Sequence, residues 1–291
     1  MNSKVAIVTD TLGCIPEEEI KRYNICEVPV KIVFENRVYQ DRVDLSANEF
    51  YTMLRKAKQL PTTAAPSPEH FLNAYSKMSR EAANILCITL SSKLSGTFNA
   101  ARIAADMASE VLSDITVEVL DSQVAAAAEG FVVLAAARAA AAGKKLDEVI
   151  DVAKNVISSV HLLVVVDTLK YLIKGGRVPR VVGWAGSLLN IKPIITLKDG
   201  EVHPVARART YLSAIKQIMA MSKNRIVKGL PLHVAVIHAA EPEKAEELKN
   251  QISLSFDCVE LMITDFTPVI GAHTGPGVIG LAFYCDDKFI R

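Results

Sequence analysis

Two loops concentrate the side chains that could hold or activate a ligand. The first is Ser91-Ser-Lys-Leu-Ser-Gly-Thr97, which follows the apolar run 85–90 and precedes the small-residue segment 98–105. That order predicts strand, turn and helix, with Ser95, Gly96 and Thr97 at the helix start. Unsatisfied N–H groups and the positive end of the helix dipole suit a carboxylate or a phosphate there. Ser95 serves equally as a plain helix cap, and composition alone does not choose between the two. The second loop is Ile270-Gly-Ala-His-Thr-Gly-Pro-Gly277. Its glycines and proline predict a tight turn that carries His273 and Thr274 beside the core, ahead of an apolar strand over 278–284. Two smaller polar turns, Thr9-Asp-Thr11 and Thr62-Thr63, complete the set. Asp10 and the 91–95 turn both directly follow strands, so they can share the ligand-binding carboxyl edge of an open sheet. Asp10 also fits a simple capping role.

Several chemistries are set aside by spacing. Ser-Lys-Leu-Ser-Gly-Thr lacks the G-x-x-x-x-G-K-[ST] phosphate loop. Leu94-Ser95-Gly96 is not the G-x-S-x-G elbow, although Ser95 and His273 leave open a stand-alone acyl-ester hydrolase. His70, His161, His203, His233, His238 and His273 show no paired ligand spacing, so no metal site is expected. No other cofactor is expected either. Lys170, Lys174, Arg177 and Arg180 cluster around Gly175-Gly176. They form either a solvated face or an anion- or partner-docking edge.

The elements that must position these residues alternate between strand and helix. Strands are expected at 5–9, 85–90 and 115–120, and helices from Pro16, over 47–58, 69–80 and 96–108, and in the Ala-rich 124–142. An extended, hairpin-like stretch covers 25–39, and 61–68 reads as a rigid Pro-rich linker. Such alternation predicts a mainly parallel sheet flanked by helices. Beyond about 146, a helix at 147–158 precedes the apolar strand 162–166, a short helix at 169–174 and another at 184–189. A hairpin about Asp199-Gly200, a helix at 211–221, and later strands and a helix suggest an α+β arrangement. The expected organisation is an N-terminal α/β domain, 1–160, with a small β-rich insertion near 25–45. A C-terminal α+β domain, 161–291, follows.

At 291 residues, two domains are the better expectation. Half the residues are hydrophobic but only 6% aromatic, so the core is aliphatic. A net charge of +1 without a basic arm argues against nucleic acid as a partner. The five scattered cysteines include no C-x-x-C pair and fit reduced thiols in a cytoplasmic protein. The 124–142 helix carries Glu129 and Arg138, two charges that would cost roughly 5 kcal/mol in a bilayer, so no membrane-spanning segment is expected.

Taken together, Val5-Ala-Ile-Val-Thr-Asp10, Ser91–Thr97, Asp167-Thr-Leu-Lys-Tyr-Leu-Ile-Lys-Gly-Gly-Arg177, Leu189-Asn-Ile-Lys-Pro-Ile194 with Asp199-Gly200, and Gly271–Gly277 resemble the DegV family. The resemblance implies a two-domain protein with one long-chain fatty acid buried between the domains. It implies the FakB-type subunit of a fatty acid kinase, a non-enzymatic lipid-binding carrier. A separate ATP-dependent kinase would phosphorylate the carboxylate to an acyl phosphate. By the same resemblance Ser95 and Gly96 are the carboxylate-binding pair, and Thr63, His273 and Thr274 are further polar contacts. Arg177 and Arg209 are contacts to phosphate or kinase. Ala64-Ala65 stands where the family has Ser-Gln, which removes hydrogen-bonding groups near the head group. Thr11-Leu-Gly-Cys-Ile-Pro16 replaces Ser-Thr-Ala-Asp-Leu-Pro. A carrier of another amphipathic acid, without a kinase, is the remaining alternative.

Overall fold

The computed structural model describes residues 4–178 and 191–286. The expected helix at 184–189, and Arg180, lie outside the described residues. Strand β1 (Val5–Asp10) is buried at every position, as a central parallel strand requires. It pairs in parallel with β2 (Cys26–Val28) and β6 (Asn84–Thr89), and β6 with β7 (Thr116–Asp121). The result is an all-parallel sheet of order β2-β1-β6-β7. β3 (Lys31–Phe34), β4 (Arg37–Gln40) and β5 (Thr62–Ala64) form a small antiparallel sheet of order β4-β3-β5. The segment expected as a linker therefore contains a strand. Thr62–Ala64 pairs with the free edge of β3, opposite residues 31–33. β2 is likewise not continuous with β3 but joins the parallel sheet.

The second large sheet is mixed, of order β10-β9-β8-β13-β11-β12. Its strands are β8 (His161–Val165), β9 (Lys192–Lys198), β10 (Glu201–Ala208), β11 (Leu232–His238), β12 (Cys258–Asp265) and β13 (Ile279–Cys285). β9 and β10 form the expected hairpin, with Asp199 and Gly200 both at positive φ. The fold is thus α/β, with a parallel sheet flanked by helices followed by an α+β part.

Between the sheets runs α5 (Ala127–Ala141), apolar almost all round and buried along nearly its whole length. Its Arg138 reaches across to β12, where both guanidinium arms bond Glu260 at 2.9 and 2.6 Å. His233 bonds the same carboxylate at 2.6 Å and stacks on Tyr284. Burial acts to raise the Glu260 pKa, but these bonds from His233 and Arg138 overcome it and hold the group at about 2. Glu129, the other charge on α5, is fully buried and its pKa is driven well above the carboxylate range, first by burial and then by the Asp10 carboxylate. Among the described residues no helix is long and apolar enough to cross a membrane.

Candidate functional site

Asp10 ends β1, and its carboxylate ties two strand ends together. Oδ1 accepts the Leu12 N–H at 2.9 Å and caps the 3-10 turn Thr11–Gly13. Oδ2 accepts the Leu90 N–H at 3.0 Å, just past β6. Leu12 and Leu90 line a cavity between the sheets, so Asp10 shapes that wall rather than facing a ligand.

The cavity has an empty volume of about 1040 Å³ including its open mouth, the upper end of the range of about 300–1,000 Å³ for small-molecule sites. Leu94, Ala125 and Ala126 face it from the first half of the chain. Leu162, Val164, Ile195, Leu197 and Val202 face it from the mixed sheet, and Phe266, Val269 and Ile270 from beyond β12. Among the described lining residues the polar side chains are Thr63, Ser95, Arg177, Thr196, His273 and Thr274. Two of these are occupied internally: Thr196 donates to the Leu162 carbonyl at 2.6 Å and Thr274 to the Ile270 carbonyl at 3.0 Å.

The other polar groups converge. Ser95 and Gly96 precede α4 (Thr97–Val111), with Gly96 at the N-cap. The Ser95 hydroxyl accepts the Thr97 N–H at 3.3 Å and shares a 2.8 Å bond with the Thr97 hydroxyl. Ser95 is therefore both a local cap and a wall residue, and the two expectations for it coexist. A Cβ on Gly96 would lie 3.9 Å from the Cβ of Ala65, which places the α4 start against the end of β5. Two residues back along β5, Thr63 Oγ1 shares a 2.8 Å hydrogen bond with His273 Nε2.

His273 does not sit on a turn. It occupies the last turn of α10 (Pro268–Thr274), a short helix packed against α2 (Ala47–Lys56). The glycines divide their roles: Gly275 and Gly277 carry the positive φ of the exit, while Gly271 lets α10 close on the Phe50 and Tyr51 rings. Burial, with a smaller contribution from Arg177, lowers the His273 pKa to about 4, so the ring is neutral at pH 7.

Gly175, in the last turn of α7 (Lys170–Gly175), faces the same imidazole. A Cβ there would stand 2.6 Å from His273 Nδ1. In Gly175→Ala the ring is expected to swing off Thr63, the softer response because the obstacle is a side chain. The His273 pKa, followed by NMR, should then rise from about 4 toward the ordinary histidine value. An unchanged titration would refute this contact.

Arg177 is exposed, lines the cavity and bonds the Gly175 carbonyl at 2.6 Å. Arg209 is exposed between β10 and α8 (Tyr211–Lys223) and is not among the residues lining the cavity. Thr274 lines it with its hydroxyl turned back on its own helix. Sequence reasoning missed Ala126, a lining residue at φ 57° and ψ −152°. That conformation belongs to glycine and costs an alanine about 1–3 kcal/mol. An alanine in an alanine-rich run carries no signal of it.

Known proteins resemble the chain along its whole length. A family model described as "Uncharacterised protein, DegV family" matches residues 4–286. A DegV domain-containing protein of Caldanaerobacter subterraneus subsp. tengcongensis is 34% identical over 280 residues, 96% of this chain and 98% of the relative. A DegV family protein from Thermus thermophilus, described for its fatty acid binding, superposes with a TM-score of 0.91 at 28% identity, covering 97% of this chain and all of the other. DegV from Bacillus subtilis, a fatty acid binding protein, gives a TM-score of 0.89 at 31% identity, over 97% and 99% of the two chains.

Proposed function

The chain belongs to the DegV family, and on that premise we propose that it binds one long-chain fatty acid between its two large sheets and presents the carboxylate to a separate ATP-dependent kinase. The observation that carries this reading is one cavity with mainly aliphatic walls and a convergence of Thr63, Ser95, Gly96 and His273. An acyl chain of 16 carbons would bury about 14 methylenes, roughly 11 kcal/mol gross at about 0.8 kcal/mol each. Ordering costs reduce that figure and still leave a ligand retained through purification. The carboxylate would accept from the Ser95 hydroxyl and from first-turn N–H groups of α4, at the positive end of its dipole. With Ala64-Ala65 contributing no side-chain donors, Ser95 and the Thr63–His273 pair carry the head-group chemistry. Residues 1–160 and 161–291 would act as the two domains enclosing the acid, in a cytoplasmic carrier.

The hydrolase alternative is disfavoured by the bonding of its two residues. Ser95 is bonded to Thr97 and His273 to Thr63, so the serine lacks the base that would activate it. Arg177 is the cation among the described lining residues and suits a phosphorylated head group.

Denaturing mass spectrometry of an organic extract tests the binding reading. A stoichiometric fatty acid is expected, and Ser95→Ala should weaken rebinding about tenfold by removing a bond to a charged group. An empty extract, with no thermal shift on adding fatty acids, would overturn it. With a fatty acid kinase and ATP, the loaded protein should yield an acyl phosphate that hydroxylamine traps. If no kinase does so, the protein is a carrier of another kind.

A further inference from the structure

Asp41 is wholly buried, lies outside the cavity lining, and belongs to the segment 25–45 that the head-group chemistry does not use. Its carboxylate nevertheless meets two separate parts of the molecule. Oδ1 accepts the Val269 N–H at 3.2 Å, in the first turn of α10 and 228 positions away. Oδ2 accepts the Thr11 hydroxyl at 2.8 Å, and that hydroxyl in turn accepts the Val30 N–H at 3.3 Å.

α10 needs such an anchor. It has seven residues, and its own N-cap residue, Thr267, makes no side-chain cap bond. A helix that short does not persist without tertiary support. Asp41 supplies the missing acceptor and places a negative charge at the helix's positive end. Beside it, the Tyr51 hydroxyl bonds the Phe266 carbonyl at 3.3 Å, and Gly271 seats the helix against the Phe50 and Tyr51 rings. His273 lies one turn beyond Val269 on the same helix, and Val269 and Ile270 between them form cavity wall.

We infer that Asp41 is a positioning residue for His273: by capping α10 from the segment between β4 and α2, it sets the reach of the imidazole toward Thr63 and the cavity. The inference rests on the proposed function only where fatty acid affinity is read. The His273 titration tests it independently of any ligand.

The experiment compares Asp41→Ala, Asp41→Asn and Thr11→Val with the unaltered protein, following the His273 ring by NMR and oleate affinity by calorimetry. In Asp41→Ala the His273 pKa is expected to rise by at least about one unit from its value near 4, as the buried contact loosens. Oleate affinity should fall about tenfold. Asn keeps an acceptor for Val269, so Asp41→Asn should restore the titration to within about half a unit. A folded Asp41→Ala protein with unchanged His273 titration would overturn the inference, even if its melting temperature fell. Should Asp41→Ala not fold, Thr11→Val decides: it removes the hydroxyl that holds Oδ2 and so loosens the carboxylate that caps Val269, and a measurable upward shift of His273 is expected, whereas none would refute the role. Oleate failing to bind any of the proteins would count against the proposed function and leave the titration result standing.

Discussion

At pH 5 the protein is expected to be more stable toward urea than at pH 8, by on the order of 4 kcal/mol. The reason is a set of buried carboxyl groups. Burial raises Asp10 and Asp41 from 3.8 to about 6 and Glu27 from 4.5 to about 7, and it drives Glu129 well above its ordinary value. The charges that bear on Glu129 are those of Asp10, Asp121 and Glu27, all acidic. A carboxyl whose pKa is higher in the folded than in the unfolded chain binds its proton preferentially when folded. Its stabilising contribution is complete below the unfolded pKa and is lost as pH rises through the folded one. Two histidines act in the opposite sense: burial lowers His273 to about 4 and also lowers His161, so the unfolded chain gains their protons first, below about 6.5. The carboxyl groups outnumber them over this window. Below pH 5 the trend reverses, because Glu260 at about 2 must be protonated away from Arg138 and His233. Urea unfolding at pH 5 and pH 8 checks the sign, and equal stability, or greater stability at pH 8, would refute it. Glu129→Gln, a neutral replacement of the same shape, should flatten the profile by removing the deprotonation cost at high pH.

Gly130→Ala is expected to lose about 3 kcal/mol, although alanine is ordinarily the better helix residue by about 1 kcal/mol. Gly130 lies in the first turn of α5, where that helix crosses the 3-10 turn after β1. A Cβ there would overlap the Gly13 carbonyl oxygen and press on Ile15. The obstacle is backbone, held by the Asp10 cap at Leu12, so it cannot rotate aside. Gly13→Ala is the control. Its new Cβ would stand 3.4 Å from Gly130, ordinary contact, and a change below about 1 kcal/mol is expected. Denaturant midpoints at constant slope would measure both. Equal losses in the two variants would show that the effect is not this steric contact.

Much of the site's scaffold was legible because it is encoded locally. A strand, a hydroxyl-rich turn and a small-residue helix are adjacent in sequence, so Ser95 and Gly96 could be placed at the α4 start from residue types alone. Asp199-Gly200 specified its hairpin in the same way, through the positive φ that both residues adopt. The alternation of strands and helices up to β7 likewise indicated a parallel sheet. The His273 segment was less legible. Its three glycines and proline read as a turn, whereas the chain forms a helix. α10 is held by the Asp41 carboxylate and the α2 rings, and neither lies near it in sequence. The strand at Thr62–Ala64 was hidden for a similar reason, since three residues become a strand only through the open edge of β3.

The sequence by itself determined the local chemistry: an anion-suited helix start, an aliphatic core, a hairpin, and two charges on an otherwise apolar helix. Only the tertiary structure decided how that chemistry is assembled. It joined Thr63 to His273 across 210 positions, raised the Glu129 pKa by burying it beside Asp10, paired Arg138 with Glu260, left Arg209 outside the cavity, and gave Ala126 a strained backbone. Backbone preferences act over a few residues and can be read in order along the chain. Burial, desolvation and long-range hydrogen bonds depend on which surfaces meet, and that is settled only when both sheets close on their shared core.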